Sequence, residues 1–210
     1  MPQLKSRLLL VTDRHQTKGR PLPAILQRVL TVGSPAIQLR ERDLSARELL
    51  ALGREVQAMV AQRGAQLIIN DRIDVALALD GVGVHLRGNS LPVAVARRLV
   101  GDQCLLGVSA HSVDEAVQAE ADGADYVVLG PLYETPSKQA FGPPLGLCRL
   151  EETCRLVRIP IIGIGGVTAA RARDVRRAGA SGVAVITAVL GAEDVEAAVR
   201  ALLDAVGSPS

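Results

Sequence analysis

Short runs rich in Leu, Val and Ile alternate along the chain with longer stretches of Ala, Leu, Arg and Glu. The runs lie at Arg7–Thr12, Pro35–Leu39, Ala65–Ile69, Val82–Leu86, Cys104–Val108, Asp125–Leu129, Ile159–Ile164 and Gly182–Ile186. Each is apolar at successive positions instead of every second one, which predicts a strand covered on both faces, as in a parallel sheet. The longer stretches carry helix signals. Ser45–Gln62 opens on a serine with Glu48 three residues on, the pattern of a capping box. Ser90 or Asn89 is placed to cap the stretch 91–99, and Ser112 to cap 113–121 with Glu115 as its partner. Thr168 is placed to cap 169–178, which stops at Gly179, and Asp194–Ala205 makes the last helix.

Eight evenly spaced strand-and-helix units predict an α/β fold, a single (β/α)8 TIM barrel. An open doubly wound sheet fits less well, because no longer crossover interrupts the spacing. There is no linker or break in composition, so residues 1–206 read as one domain and 207–210 as a frayed tail.

Composition narrows the function. Hydrophobic residues make up 48% of the chain and aromatic residues only 1%, so aliphatic side chains must fill the core. That scarcity of flat rings excludes a stacking platform for single-stranded nucleic acid. A net charge of +2, with its signs interleaved, argues against any polyanion-binding surface. Cys104, Cys148 and Cys154 are too few and too scattered for a disulfide framework or a zinc site. No apolar stretch reaches the ~18 residues of a membrane span. A cytoplasmic protein with no nucleic-acid or membrane partner is expected, and a barrel of this size is compatible with a homodimer.

In a closed barrel, chemistry gathers at the C-terminal ends of the strands. Here those ends carry Thr12-Asp13-Arg14, Gln38 through Arg42, Asn70-Asp71-Arg72, His85, Ser109 through His111, Gly130 through Lys138, Gly165-Gly166 and Thr187. The paired glycines, Gly165 and Gly166, stand between a strand and a helix, where backbone N–H groups can approach an anion. A phosphorylated ligand follows from that pattern. Arg40 suits a phosphate or diphosphate, or a salt bridge with Glu41 or Asp71, and Arg42 suits either job. Asp71 can hold Mg2+ or cap the helix that begins near Arg72. His111 can exchange protons near neutrality, whereas His85 reads as strand-end packing and His15 as an exposed loop residue. In the long loop Gly130–Gly146, Thr135, Ser137 and Lys138 can bind phosphate, and Glu134 can orient a base or act as one.

Several motifs carry a resemblance over nearly the whole chain. They are VTDR (Val11–Arg14), QLRER (Gln38–Arg42), INDRIDVALA (Ile69–Ala78), GVHL (Gly83–Leu86), GVSAHS (Gly107–Ser112), GADYVVLGPLYETPSK (Gly123–Lys138), GIGGV (Gly163–Val167) and GVAVITAV (Gly182–Val189). On these the chain resembles the thiamine-phosphate synthase and thiazole tautomerase (TenI-type) superfamily.

The synthase branch implies Gln38, Arg40, Arg42, Asn70, Asp71, Ser109 and Lys138 around a pyrimidine diphosphate. Thr135, Ser137, Gly166 and Thr187 would then hold a thiazole phosphate, and Mg2+ would sit on Asp71 and a second aspartate after GVHL. That run reads Arg87-Gly88-Asn89-Ser90, with Ser90 where the aspartate is expected. The tautomerase branch, which needs no metal or other cofactor, tolerates that departure and is the preferred reading. It implies a phosphorylated thiazole substrate, His111 as acid and base, and Gly165, Gly166 and Thr187 on the phosphate. Gln38, where one tautomerase pattern has histidine, keeps the synthase as the alternative. A non-catalytic thiazole-phosphate-binding or regulatory paralogue is the third reading.

Overall fold

The computed structural model describes residues 2–135 and 143–207. Its strands are β1 (Leu8–Val11), β2 (Ala36–Leu39), β3 (Leu67–Asn70), β4 (Gly83–Leu86), β5 (Leu106–Ala110), β6 (Tyr126–Leu129), β7 (Ile161–Gly163) and β8 (Gly182–Val185). They follow one another around a closed parallel barrel in which β8 pairs back onto β1. The helices are α1 (Leu22–Val32), α2 (Ala46–Ala61), α3 (Ile73–Leu77), α4 (Val93–Val100), α5 (Val113–Ala121), α6 (Gly146–Leu156), α7 (Ala169–Arg177), a short α8 (Thr187–Leu190) and α9 (Val195–Val206). No helix among the described residues is long and apolar enough to cross a membrane. Beyond Gly207 the expected frayed tail lies outside the described residues.

The strands fall within two residues of the apolar runs. β3 and β5 extend further towards the C-terminus, because Asn70 pairs in register with His85, and Ser109 with Val128. Both polar residues are therefore strand residues, not loop residues.

Alternation along each strand sorts side chains into two layers. Leu9, Val11, Ala36, Ile68, Tyr126, Val128, Ile162 and Ala184 pack together inside the barrel. Their neighbours Leu8, Leu10, Ile37, Leu39, Ile69, Val84 and Leu86 join the larger core shared with the helices. The inward parity then continues into polar residues at the mouth: Gln38 and Arg40 after Ala36, Asn70 after Ile68, His85 and Arg87 after Gly83, and Ser109 after Gly107. Gly107 has its own reason to be glycine. The ring of Tyr126, fully buried, lies where a Cβ at Gly107 would sit.

The capping box on α2 forms as read: Ser45 Oγ accepts from the Glu48 N–H at 3.3 Å, and Glu48 Oε2 accepts from the Ser45 N–H at 2.9 Å. Ser45→Ala should cost about 1 kcal/mol and lower the melting temperature by about 2–4 °C in scanning calorimetry. Ser112 and Thr168 also cap their helices, accepting from Glu115 and Arg171 N–H groups. Three assignments differ. α4 opens on Pro92 without a side-chain cap, because Ser90 turns towards the barrel mouth and Asn89 is exposed. Asp71 does not cap α3, which starts after Arg72 with no side-chain cap. Glu115 accepts from the His111 N–H at 2.7 Å instead of closing a box on Ser112.

Candidate active site

Two polar groups occupy the mouth on either side of β1. The first is built on β2, β3 and β4. Gln38 and Asn70 are buried, and Gln38 Nε2 donates to Asn70 Oδ1 at 3.0 Å. Arg40 is fixed through its backbone: its N–H donates to Thr12 Oγ1 at 2.9 Å, and the Thr12 hydroxyl donates to the buried Glu41 carboxylate at 2.6 Å. Glu41 also accepts from the Arg14 N–H at 3.0 Å. Its charge is thus spent on holding the loop, and the salt bridge considered between Arg40 and Glu41 does not form. Arg40 has Asp13 at 4.0 Å instead. Burial, then the charges of Arg42 and Arg87, hold the Arg40 guanidinium below its usual pKa. Arg42 is exposed at the rim.

Asp71 sits in the left-handed region with φ 65°, rare for any residue but glycine. Its peptide N–H donates to His85 O at 2.8 Å, and the Arg72 N–H reaches back to Asn70 O at 2.8 Å, closing a tight three-residue turn around it. The turn aims the Asp71 carboxylate at β4. There Oδ2 accepts from Arg87 Nε at 3.0 Å and from its Nη2, while Oδ1 accepts from the Ser90 hydroxyl. Ser90 Oγ also accepts from the Arg87 N–H at 2.8 Å.

These contacts bear on the Mg2+ that the synthase branch implies. Both oxygens of Asp71 are engaged, a guanidinium stands against one of them, and Ser90 brings no second charge. Among the described residues no group of three His, Cys, Asp or Glu side chains converges to hold a metal ion. This donor set does not fit a divalent cation, which wants carboxylates free to face it.

Below these groups, His85 is no strand-end filler. It is buried inside the barrel, with Nδ1 3.1 Å from the Tyr126 hydroxyl and Nε2 2.9 Å from Ser109 Oγ. Burial, assisted by the charge of Arg40 and opposed by that of Asp71, pushes its pKa down to about 3. Burial and Asp125 push the Tyr126 phenol upward, so it too stays neutral. A neutral imidazole donates through one of these nitrogens and accepts through the other, so the tautomer decides whether the Ser109 hydroxyl accepts from Nε2 or donates to it.

The second group lies at β7 and β8. Gly165 and Gly166 have φ of 96° and 66°. Their carbonyls are occupied: Gly165 O accepts from the Tyr133 N–H at 3.1 Å, and Gly166 O from Arg171 Nη1 at 2.8 Å. Their own N–H groups find no acceptor among the described residues. Side chains are excluded here, since a Cβ on Gly165 would lie 2.6 Å from Pro131 and one on Gly166 3.0 Å from Glu134 O. Next to this concavity Thr187 begins the four-residue α8; the Val189 and Leu190 N–H groups donate to Ile186 O, while those of Thr187 and Ala188 find no acceptor among the described residues. Thr135 Oγ1 is buried and has no hydrogen-bond partner among the described residues. Glu134 is exposed, and Ser137 and Lys138 lie outside the described residues.

A polar chain joins the two groups. The Thr187 hydroxyl donates to Gln16 Oε1, Gln16 Nε2 donates to Asp13 Oδ2 at 2.8 Å, and Asp13 faces Arg40. Sequence reasoning placed Asp13 at the active edge without giving it a role, and missed Gln16 and Arg87 as site residues. Arg87 was findable, because it stands two positions after His85 on the inward parity. His111 sits apart at the rim, with Nδ1 3.5 Å from Glu115 Oε2 and nearly half its side chain exposed.

Comparison with known proteins bears on the family and the fold. A thiamine-phosphate synthase of Roseiflexus castenholzii is 48% identical over 203 residues, 97% of this chain and 89% of the relative. One of Moorella thermoacetica is 48% identical over 188 residues, 90% of each chain. The solved structure of a thiamine phosphate pyrophosphorylase from Pyrococcus furiosus superposes with a TM-score of 0.88 at 34% identity, covering 97% of this chain and 96% of that one. The two sequence relatives are named as synthases and none of the three as a tautomerase, which supports the alternative drawn from the sequence and not the preferred tautomerase reading. The profile described as thiamine monophosphate synthase matches residues 8–189, and the chain belongs to that family of thiamine-biosynthetic enzymes.

Proposed function

We propose that the protein is a thiamine-phosphate synthase, joining hydroxymethylpyrimidine diphosphate to thiazole phosphate with release of diphosphate. The observation that carries this reading is the pair of anion-receiving groups on either side of β1, the arginines on β2 to β4 and the glycine concavity with Thr187 on β7 and β8. Two phosphorylated substrates need two such places. Held there, they meet as neighbours, which converts an encounter of two molecules into a reaction within one complex.

As the carbon–oxygen bond to the diphosphate breaks, negative charge grows on the leaving group, and the Arg40 guanidinium, carried on a backbone held by Thr12, stabilises it. The paired amides of Gln38 and Asn70, with the Ser109 hydroxyl, orient the pyrimidine. Gly165, Gly166, Thr187 and Thr135 hold the thiazole phosphate. In the tautomerase reading His111 would move the proton, yet its ring and peptide N–H both face Glu115 at the rim.

The test supplies both substrates to the purified protein, with and without Mg2+, and reads thiamine phosphate by oxidation to fluorescent thiochrome. Turnover is expected. Silence beside an active control synthase would reject the proposal, and assay with the tautomerase substrate would then separate the isomerase from a non-catalytic paralogue.

A further inference from the structure

Arg87 is claimed by neither substrate in the reading above, yet the chain invests heavily in its position. Inward parity on β4 sends it to the mouth, and two of its nitrogens engage Asp71 Oδ2. Its peptide N–H is held by Ser90, whose hydroxyl is in turn held by Asp71. Asp71 itself is kept in a left-handed conformation that presents its carboxylate to this residue. Arg87 is close enough to Arg40 for its charge to disfavour that of Arg40, as does Arg42. Arg40 and Arg87 stand at the mouth on the inward parity of β2 and β4, with Arg42 exposed two residues beyond Arg40, and the carboxylates of Asp13, Glu41 and Asp71 lie among them. Only Arg87 has a close ion pair, with Asp71; Arg40 has Asp13 at 4.0 Å and Arg42 has no salt bridge among the described residues, so both keep charge and donors for an anion.

We propose that Arg87, anchored by Asp71 and Ser90, completes with Arg40 and Arg42 a cluster of three guanidinium groups that binds the diphosphate group and neutralises it in place of a divalent cation. This rests on the synthase reading for the identity of the diphosphate. In this arrangement Ser90 is no damaged metal ligand: its hydroxyl orients Asp71, and Asp71 orients Arg87. A guanidinium offers planar, paired donors to phosphate oxygens and needs no dehydration of a metal ion.

Calorimetric titration of the purified chain with inorganic pyrophosphate tests the inference without any need for turnover. The dissociation constant measured in EDTA should match that in millimolar Mg2+ within about threefold. Arg87→Ala should weaken binding in EDTA by about tenfold to a hundredfold, and Arg87→Lys by less, because the charge stays while the paired donors are lost. Binding that appears only with Mg2+, or no binding in either buffer, overturns the proposal with wild-type protein alone. So does unchanged affinity in a folded Arg87→Ala variant. The two readings fail separately: metal-free pyrophosphate binding without thiamine phosphate formation would reject the synthase and keep the cluster, and Mg2+-dependent binding with turnover would do the reverse.

Discussion

Acidification below the ordinary histidine range should destabilise the protein steeply, and His85→Gln should remove a defined share of that loss. The imidazole lies inside the barrel, where burial lowers its pKa from 6.5 to about 3. An unfolded chain takes up this proton near the ordinary value, whereas the folded barrel refuses it until the pH is far lower. Between those two values the unfolded state binds the extra proton, so stability falls with pH by about 1.4 kcal/mol per unit. Across the window the loss is about 4–5 kcal/mol, a large part of a typical domain's total. Above the ordinary value both states are neutral and the residue adds no pH dependence. His85→Gln should start less stable, since an amide cannot reproduce both bonds to Tyr126 and Ser109. Its deficit should shrink as the pH falls, because carboxylate titrations common to both proteins cancel in the difference. Urea denaturation at about pH 7 and at about pH 4 measures this directly. Stability curves that stay parallel would show that His85 carries no buried-base penalty.

That histidine also marks the limit of what the sequence makes legible. The barrel is readable because strands buried on both faces need unbroken apolar runs, and helices such as α2 advertise their starts with short polar residues. Gln38, Arg40, Asn70 and the glycine pair are readable because they stand at strand ends. Misreadings cluster where a polar side chain has two partners open to it. Ser90 precedes a helix and has a capping residue's chemistry, but Pro92 starts α4 by itself with its fixed φ. The hydroxyl is thereby free to serve Asp71. Asp71 likewise precedes a helix, and only the left-handed turn, invisible in residue identity, sends its carboxylate across to Arg87. His85 reads as filler because nothing local shows that Tyr126, 41 residues later, reaches over Gly107 to meet it. The preference for the tautomerase branch arose from the same place. The sequence shows a lost carboxylate at Ser90 but not the bonds that join Ser90 and Arg87 to Asp71.

The largest catalytic effect is expected at Arg40. It combines a rigid backbone with a weakly committed side chain, which is what a group acting on a leaving anion requires. Thr12 and Glu41 fix the peptide through bonds of 2.9 and 2.6 Å, while the guanidinium has Asp13 only at 4.0 Å. Arg87, by contrast, is tied to Asp71, so it anchors charge without being free to follow it. In the proposed synthase, Arg40→Ala should therefore lower kcat/KM for thiamine phosphate formation by about a hundredfold to a thousandfold, the cost of removing one charged donor from a developing charge. Arg40→Lys should recover only part of this, since a point charge cannot match two phosphate oxygens at once. Thr187→Val offers the contrast. In the proposed reaction Thr187 serves a phosphate that does not change, its hydroxyl turning from Gln16 to that ligand, so KM for thiazole phosphate should rise about tenfold with kcat nearly intact. If Arg40→Ala instead raised only KM for the pyrimidine substrate and left kcat alone, Arg40 would be a docking residue. Stabilisation of the leaving group would then have to come from Arg42 and Arg87.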